Sequence, residues 1–372
     1  MKKAVIVIPT YNEVKNIDDL VRKIFEETKK ISKWDIEILF VDSDSPDGTA
    51  AKIKTLAKNS KKLYLLSTKK EGLGKAYLAG FEYALTHLNP SVLFEMDADL
   101  SHDPKKIHEF LEKIESGADF VIGSRYRKGG SIPKDWGIHR KFFSILGNFI
   151  IRLGFMKPRI SDWTSGFRAI KVWVIKDTVA DIKQYTGYVF QVALIDNALK
   201  KHAKVDDVAI NFIDRKHGIS KINALQYILQ TLWYVFTNST FVKYVIVGIS
   251  GAALDFGISF LIIERAGIHP NFYWIATLIS AETAIISNFF LNNFWSFSHK
   301  KIKFHPIAYL SKFLKFNLIS SGALLIQAIG IQLATLIFGP NLWYVYKFFI
   351  LFFIVIPYSY ILYNKVVWKE KK

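Results

Sequence analysis

Two carboxylates, Asp97 and Asp99, end an apolar run in the stretch FEMDADLSHDP (94–104). In an extended chain, residues two apart project from the same face, so these acids lie side by side. Like charges at that distance repel each other unless a cation lies between them. Mg²⁺ and Mn²⁺ prefer carboxylate and phosphate oxygens. The pair therefore predicts a metal ion that bridges the protein to a diphosphate. A turn or helix cap, the alternative, explains Asp103 before Pro104 but not the pair.

A second acidic turn, containing Asp42 and Asp44, follows the apolar run EILFV (37–41). Carboxylates there can accept hydrogen bonds from ribose hydroxyls or base N–H groups. Capping of the next helix is the alternative, and Asp47 in SPDGT fits a turn better than a ligand site.

Strand and helix patterns alternate through the first 100 residues. Apolar, β-branched runs predict strands, and periodic segments between them predict helices. The strands are 4–8, 37–41, 62–67 and 92–96, and the helices are 16–30, 49–59 and 74–88. This alternation predicts an α/β fold with a parallel sheet, in which ligands bind beyond the carboxyl ends of the strands. The chain contains neither GxxxxGK[ST] nor GxGxxG, which disfavours a P-loop ATPase or a dinucleotide dehydrogenase.

Composition bounds the organisation and the partners. The 372 residues suggest two or three domains, and 51% of them are hydrophobic. There is no cysteine, so disulfides and thiolate metal sites are excluded. The net charge of +18 favours polyanionic partners: nucleic acid, anionic lipid or phosphorylated substrates. The N-terminal apolar run stops at Pro9 and is too short for a secretory signal, so we expect a cytoplasmic N-terminus.

Beyond about residue 235 the chain becomes apolar and aromatic. Four segments approach the ~20 residues that span a bilayer: 241–263, 272–297, 314–338 and 342–364. Lysines cluster between the second and third segments and in the tail, while the other two loops carry few charges. By the positive-inside rule this predicts four transmembrane helices with both termini and the first domain cytoplasmic. A soluble helical domain is the alternative.

Two further segments, 139–157 and 222–236, are amphipathic and aromatic with basic residues nearby. Helices that lie on a membrane surface have this character, although ordinary core-packing helices can share it.

Several motifs, in this order, resemble the family 2 glycosyltransferases, and within them the polyprenol (dolichol) phosphate mannose synthase group: VIPTYNE, VDSDSPDGT, MDADLSHDP, IGSRYRKGG, SDWTSGFRA, GYVFQVAL and DRKHGISK. The resemblance implies the GT-A nucleotide-diphospho-sugar transferase fold, with a Rossmann-like mixed sheet. The run NFFLNNFWSF (288–297) is similar to the four-helix membrane domain that accompanies some of these synthases. We therefore expect a cytoplasmic GT-A domain at 1–221, an interfacial helix or linker at 222–240 and a transmembrane domain at 241–372.

The resemblance also implies roles on the donor side. Guanosine of GDP-mannose would be held by Pro9, Tyr11, Glu13, Asp42 and Asp44. Mg²⁺ or Mn²⁺ on the diphosphate would be held by Asp97 and Asp99, with Ser101 standing where some relatives have Gln. Many relatives read VDDxSPD where this chain reads VDSDSPD. The serine at position 43 leaves Asp42 in register with the first acid of that motif.

On the acceptor side, a polyprenyl (dolichyl) phosphate is already ionised near neutral pH and needs cations rather than a general base. Arginine offers bidentate phosphate contacts. The cations in the matching motifs are Arg125, Arg140, Arg215 and Lys221, and Ser144 and Ser220 are accessory donors. Outside such motifs, isolated cations of this kind are usually solvated surface charges.

Five other functions compete with a mannose transferase. A processive polysaccharide synthase normally has QxxRW, whereas the nearest string here is QTLWY (230–234). A polyprenyl-phosphate glucosyltransferase would use UDP-glucose instead. A lipid-linked sugar flippase or a nucleotide-sugar sensor would make the transfer chemistry secondary. Asp255 and Glu282 are functional candidates in the membrane segments, and a helix–helix hydrogen bond or an interfacial position is the alternative for both. A nucleic-acid binder should have its basic residues clustered on the soluble half. Many of the basic residues here flank the apolar spans instead, which disfavours that function.

Overall fold

The chain forms two compact units, Met1–Val235 and Phe236–Lys372. The computed structural model describes residues 1–214, 224–267, 273–300, 305–339 and 342–369. Lys221, the predicted end of the first domain, lies outside these ranges.

The first unit contains a seven-stranded mixed sheet. Its strands are β1 Lys2–Thr10, β2 Trp34–Asp42, β3 Leu63–Ser67, β4 Val92–Glu95, β5 Phe120–Ser124, β6 Arg168–Lys171 and β7 Val205–Ala209. The order is β3-β2-β1-β4-β6-β5-β7. Strands β1 to β4 are parallel, as the alternating pattern predicts, and β6 runs antiparallel to both β4 and β5. The sheet is GT-A-like, as the motifs predict.

Helices cover both faces of this sheet. The helices of this part of the chain are α1 Ile17–Thr28, α2 Thr49–Lys58, α3 Leu73–Tyr83, α4 Ile107–Glu115, α5 Ile138–Gly154, α6 Val172–Ile182, α7 Val189–Lys200 and α8 Ala224–Asn238. On one face, α1, α2 and α4 bury apolar side chains in a shared core, with α2 against β2 and β3 and α4 against β5, β6 and β7. On the other, α3 packs so closely that a Cβ at Gly80 would lie 2.5 Å from Val7 and 2.8 Å from Val41. A side chain at that position would push the helix off the sheet.

Helix α5 has two different faces. Ile138, Phe142, Ile145 and Phe149 are more than half exposed, whereas Asn148 is 4% exposed. Helix α8 also exposes apolar side chains, including Leu225 and Trp233. Both helices therefore have the amphipathic character that the sequence predicts for 139–157 and 222–236.

The second unit is helical. Its helices are α9 Thr240–Phe260, α10 Tyr273–Leu291, α11 Pro306–Phe338, α12 Trp343–Ile350 and α13 Ile356–Leu362. Within the described residues, three helical stretches are long and apolar enough to cross a membrane: Thr240–Arg265, Pro306–Phe338 and Phe348–Val367. They overlap three of the predicted spans. The remaining predicted span, 272–297, corresponds to α10 and the helical turn after it, and the count of four spans stays a prediction.

Candidate active site

A cavity of about 270 Å³ lies at the carboxyl ends of β1 and β4. It brings together five of the predicted donor-side residues, Pro9, Tyr11, Glu13, Asp97 and Asp99. The remaining lining residues are Thr10, Ser43, Lys70, Gly72, Leu73, Ala76, Ala98 and Tyr188. The strand-end rule for parallel sheets therefore predicts from the sequence that these residues lie together, while their roles stay predictions.

The two acids occupy a tight turn after β4. Asp97 is partly exposed, whereas Asp99 is 8% exposed. The Ser101 N–H donates to Asp99 Oδ1 over 3.1 Å. Leu100, which lies between Asp99 and Ser101, has a φ of 64°, in the left-handed region that non-glycine residues seldom adopt. The backbone thus holds both carboxylates against one cavity, and strain of this kind is concentrated at functional sites.

His102 supports this turn from beneath, a role that the sequence analysis missed. Its Nδ1 accepts a hydrogen bond of 3.1 Å from the Asp97 N–H, and its ring stacks on Phe167 with centroids 5.0 Å apart. The side chain is 2% exposed, and burial lowers its pKa to about 4. A neutral imidazole follows from both observations, since Nδ1 accepts a hydrogen bond and therefore carries no proton. The signal available in the sequence was a histidine five residues after the first acid.

The residues around the acid pair fit a hard divalent cation. Both carboxylates line the cavity, and Gly166 leaves space beside them, because a Cβ there would lie 3.4 Å from both carboxylate oxygens of Asp97. Ser101 Oγ is buried and has no hydrogen-bond partner among the described residues. Those residues include no cluster of three His, Cys, Asp or Glu side chains suited to a metal. An ion held here would therefore complete its coordination with water or phosphate oxygens, as Mg²⁺ usually does.

Asp42 clamps the ends of β1 and β2 together. Its Oδ1 accepts from Thr10 Oγ1 at 2.9 Å and from Ser45 Oγ at 2.6 Å, and its Oδ2 accepts from Ser45 N at 3.0 Å. Asp44 is exposed, with a φ of 56°. Ser43, between the two acids, lines the cavity. The nucleotide-binding roles of Asp42 and Asp44 stay predictions.

Lys70 is a further cavity residue that the sequence analysis missed. Its Nζ lies 3.7 Å from the ring centroid of Tyr11, a cation–π contact at the rim. The same strand-end rule would have found it, because KKEGLG (69–74) begins one residue after the end of β3. Gly72 in that segment has a φ of 102°, and a Cβ there would meet the Thr186 carbonyl at 2.5 Å. The rim therefore packs backbone to backbone, which only glycine allows.

Arg125 is held on the other side of the site. Its guanidinium is bidentate to Asp162, with Nε–Oδ2 at 2.7 Å and Nη2–Oδ1 at 2.8 Å, and Nη2 also donates to Thr164 Oγ1. Burial would raise the pKa of Asp162, but the adjacent guanidinium outweighs it and holds that pKa below its usual range. These bonds use Nε and Nη2, so the predicted phosphate contact would fall to Nη1.

The other predicted acceptor residues lie at the start of α5 or beyond. Arg140 stacks over Trp136 at 3.8 Å and pairs with Asp214 at 3.2 Å. Ser144 Oγ shares a 2.5 Å hydrogen bond with the Tyr126 hydroxyl. Arg215, Ser220 and Lys221 lie outside the described residues. The acceptor-side roles therefore stay predictions.

A buried ion pair lies directly behind the acid turn. Glu95 ends β4, two residues before Asp97, and its carboxylate is 3.5 Å from the Arg168 guanidinium, with both side chains fully buried. Arg168 also donates to the Trp163 and Gln191 carbonyls. The pair thus ties β4 to β6, to the 160–167 segment and to α7.

Within the second unit, the membrane candidate Asp255 accepts a 2.5 Å hydrogen bond from Ser280 Oγ, which in turn contacts Ser259 Oγ. This contact joins α9 to α10, which is the packing role that polar side chains often take between membrane helices. Glu282 is exposed.

Comparisons with known proteins identify the family. Residues 5–178 match the family described as Glycosyl transferase family 2, and residues 243–368 match the GtrA/DPMS transmembrane domain. The dolichol-phosphate mannosyltransferase of Pyrococcus furiosus is 32% identical over 329 residues, which cover 86% of this chain and 88% of that protein. The chain belongs to glycosyl transferase family 2. It is a glycosyltransferase with a transmembrane domain, and hence an integral membrane protein.

Two further relatives each match about three fifths of the chain. The polyprenol monophosphomannose synthase of Mycolicibacterium smegmatis is 36% identical, covering 60% of this chain and 82% of that protein. The undecaprenyl-phosphate mannosyltransferase of Micrococcus luteus is 34% identical, covering 58% and 86%. Among solved structures, glucosyl-3-phosphoglycerate synthase from Mycobacterium tuberculosis in complex with Mn²⁺ and UDP-glucose matches with 16% identity and a TM-score of 0.46, covering 63% of this chain and 79% of that chain. That likeness is too distant to carry an argument about function.

Proposed function

We propose that this chain transfers mannose from GDP-mannose to the phosphate of a membrane polyprenyl (dolichyl) phosphate, with inversion at the sugar C1, on the cytoplasmic side of the membrane. One observation carries the proposal: the acid pair Asp97 and Asp99 shares a cavity with Pro9, Tyr11 and Glu13 at the carboxyl ends of β1 and β4. The names of the three relatives, all mannose transferases or synthases that act with a polyprenyl lipid, support the choice of sugar and acceptor.

In the proposed reaction, an acceptor phosphate oxygen forms a bond to C1 while the bond from C1 to the donor diphosphate breaks. The electron pair leaves with the nucleoside diphosphate. A Mg²⁺ or Mn²⁺ ion, when bound, supplies positive charge to that leaving group. Asp97 and Asp99 would hold the ion, and Ser101 is an accessory ligand. Tyr11 and Glu13 face the cavity where the nucleotide would lie.

The acceptor needs charge neutralisation rather than proton removal, because a phosphate monoester is ionised near neutral pH. Arg125, Arg140, Arg215 and Lys221 would provide it, with Ser144 and Ser220 as hydrogen-bond donors. Asp162 pairs with Arg125, and Asp214 pairs with Arg140. The more exposed Arg140 would be the first of the two arginines to meet the phosphate at the entrance.

The membrane surface is where such an acceptor presents its phosphate. We propose that 1–221 is the catalytic domain, that 241–372 is the membrane anchor, and that α5 and α8 lie against the lipid surface through their exposed apolar side chains.

A donor screen tests the proposal. The purified full-length chain is given labelled GDP-mannose, UDP-glucose or GDP-glucose with polyprenyl phosphate and Mn²⁺, and the lipid product is extracted. We expect lipid-linked mannose from GDP-mannose. Lipid-linked glucose from UDP-glucose alone would support the glucosyltransferase instead, and no lipid product with any donor would contradict the proposal.

A further inference from the structure

The apolar, exposed helix α5 carries a buried polar side chain, Asn148, that joins it to the interior. Ser144, Asn148 and Ile151 follow one another at helical spacing on the face opposite Phe142 and Phe149. Asn148 is 4% exposed. Asparagine is a poor helix former, so its place in the middle of a 17-residue helix calls for a tertiary explanation.

The Asn148 amide uses both of its ends. Its Oδ1 accepts a 2.8 Å hydrogen bond from the Trp163 N–H, and its Nδ2 donates to Thr164 Oγ1 at 3.1 Å and to the Ser144 carbonyl at 3.1 Å. Two of these bonds cross from the helix to residues 162–166, which we call the 162–166 loop. Because the side chain is buried, each lost bond would leave a desolvated partner without a replacement from solvent.

The 162–166 loop in turn contacts both sides of the site. Asp162 and Thr164 hold the Arg125 guanidinium, at 2.7 Å each. At its other end, Gly166 lies beside the Asp97 carboxylate. The loop therefore sets the distance between the predicted acceptor cation and the acid pair, and Asn148 is what fixes the loop to α5.

We propose that Asn148 is a positioning residue for the acceptor: through the 162–166 loop it keeps Arg125 in register with the cavity, so that a lipid held along α5 meets the donor sugar. This rests on the proposed function for the identity of the acceptor. Thr164 Oγ1 is the shared atom, since it accepts from both Asn148 and Arg125. The donor cavity is lined by neither Asn148 nor the loop.

The test separates the two substrates. In Asn148→Ala we expect kcat/KM for polyprenyl phosphate to fall about tenfold to a hundredfold, which corresponds to losing one or two buried hydrogen bonds. The KM for the sugar nucleotide and the Kd for Mn²⁺–GDP stay within about twofold. A general loss of structure would move all three quantities together.

Two further variants keep the inference open to contradiction. Ile151→Val, on the same inward face, removes one buried methylene without touching the loop, and it leaves the acceptor kcat/KM within about twofold. If Asn148→Ala does not fold, Asn148→Asp is measured instead, because it keeps the oxygen that accepts from Trp163 but removes the donor to Thr164. The same split is expected from it.

Three results would overturn the inference: an unchanged acceptor kcat/KM in the Asn148 variants, an equal rise in the nucleotide KM, or an equal effect from Ile151→Val. Failure of the proposed function is distinguishable, because it would show as absent mannose transfer in the unaltered chain. The kinetic split can then be measured with whichever donor and polyprenyl acceptor the chain uses.

Discussion

The two sides of the catalytic unit are built in different ways. The donor side gathers side chains that follow parallel strands, and most of them lie within a few residues of a strand end: Pro9, Tyr11, Asp97 and Asp99. The acceptor side is held by pairs distant in the chain, such as Arg125 with Asp162 and Arg140 with Asp214. A local pattern therefore specifies the first side, while the second depends on how the remaining chain folds back onto β5 and β6.

Among the variants considered, Asp99→Asn on the donor side should lower activity most. It keeps the shape of the side chain and removes its charge. We expect kcat to fall about a thousandfold, because the metal ion that neutralises the leaving diphosphate would lose one of its two carboxylate ligands. The measurement is steady-state turnover at saturating Mn²⁺. Near-normal turnover in a folded variant would show that Asp99 is not a ligand of the metal ion.

The junction between the two sides is the buried pair of Glu95 and Arg168. Arg168→Met leaves a carboxylate buried without its partner, and we expect a loss of about 3–5 kcal/mol in the free energy of unfolding. Urea denaturation of the detergent-solubilised chain measures it. The control is the double variant Glu95→Leu, Arg168→Met, which should recover much of the loss. A loss below about 1 kcal/mol would mean that the pair is not buried as described.

His102 gives the donor side a pH dependence of its own. Its pKa is about 4 in the fold, against an ordinary 6.5, because burial disfavours the charged ring. The unfolded chain therefore takes up this proton first as the pH falls. The contribution of His102 to the free energy of unfolding is fully present above pH 6.5. It is lost as the pH falls towards about 4, and the loss reaches roughly 3 kcal/mol.

Unfolding of the metal-free chain between pH 7.5 and 4.5 measures that loss. His102→Gln, which retains a hydrogen-bond acceptor, serves as the control and should show a shallower decline over the same range. Equal slopes in the two chains would contradict a neutral, buried His102.

The smallest effect is expected on the acceptor side. Arg140 is 44% exposed and its ion pair with Asp214 is solvated, so Arg140→Ala changes stability by less than about 1 kcal/mol. The KM for polyprenyl phosphate should instead rise about tenfold, and the rise should shrink at high salt, where exposed charges are screened. A change in the nucleotide KM rather than in the acceptor KM would contradict the assignment of Arg140 to the acceptor phosphate.

Much of the donor side could be predicted from the sequence for the same reason that it is built locally. Strands β1 to β4 are strongly apolar, and acids at their ends must meet at one edge of a parallel sheet. The exception is Asp42, whose hydrogen bond to Thr10 depends on the register of β1 against β2.

The rest could not be predicted because its determinants are non-local. Strand β6 has four residues, too few to show a period, and it is identified by its pairing with β4 and β5. Asp162, the partner of Arg125, lies 37 residues further along the chain. Asn148 looks like an ordinary polar residue in an amphipathic pattern, and its role becomes visible when Trp163 and Thr164 are seen beside it.

The central claim is that one cavity, at the ends of β1 and β4, holds the donor diphosphate and its divalent ion between Asp97 and Asp99. Anomalous diffraction from crystals of the chain with Mn²⁺ and GDP tests it most directly. The account predicts a manganese peak in contact with both carboxylates and with the diphosphate. A peak bound elsewhere, with the diphosphate beside it and the acid pair uninvolved, would contradict the account.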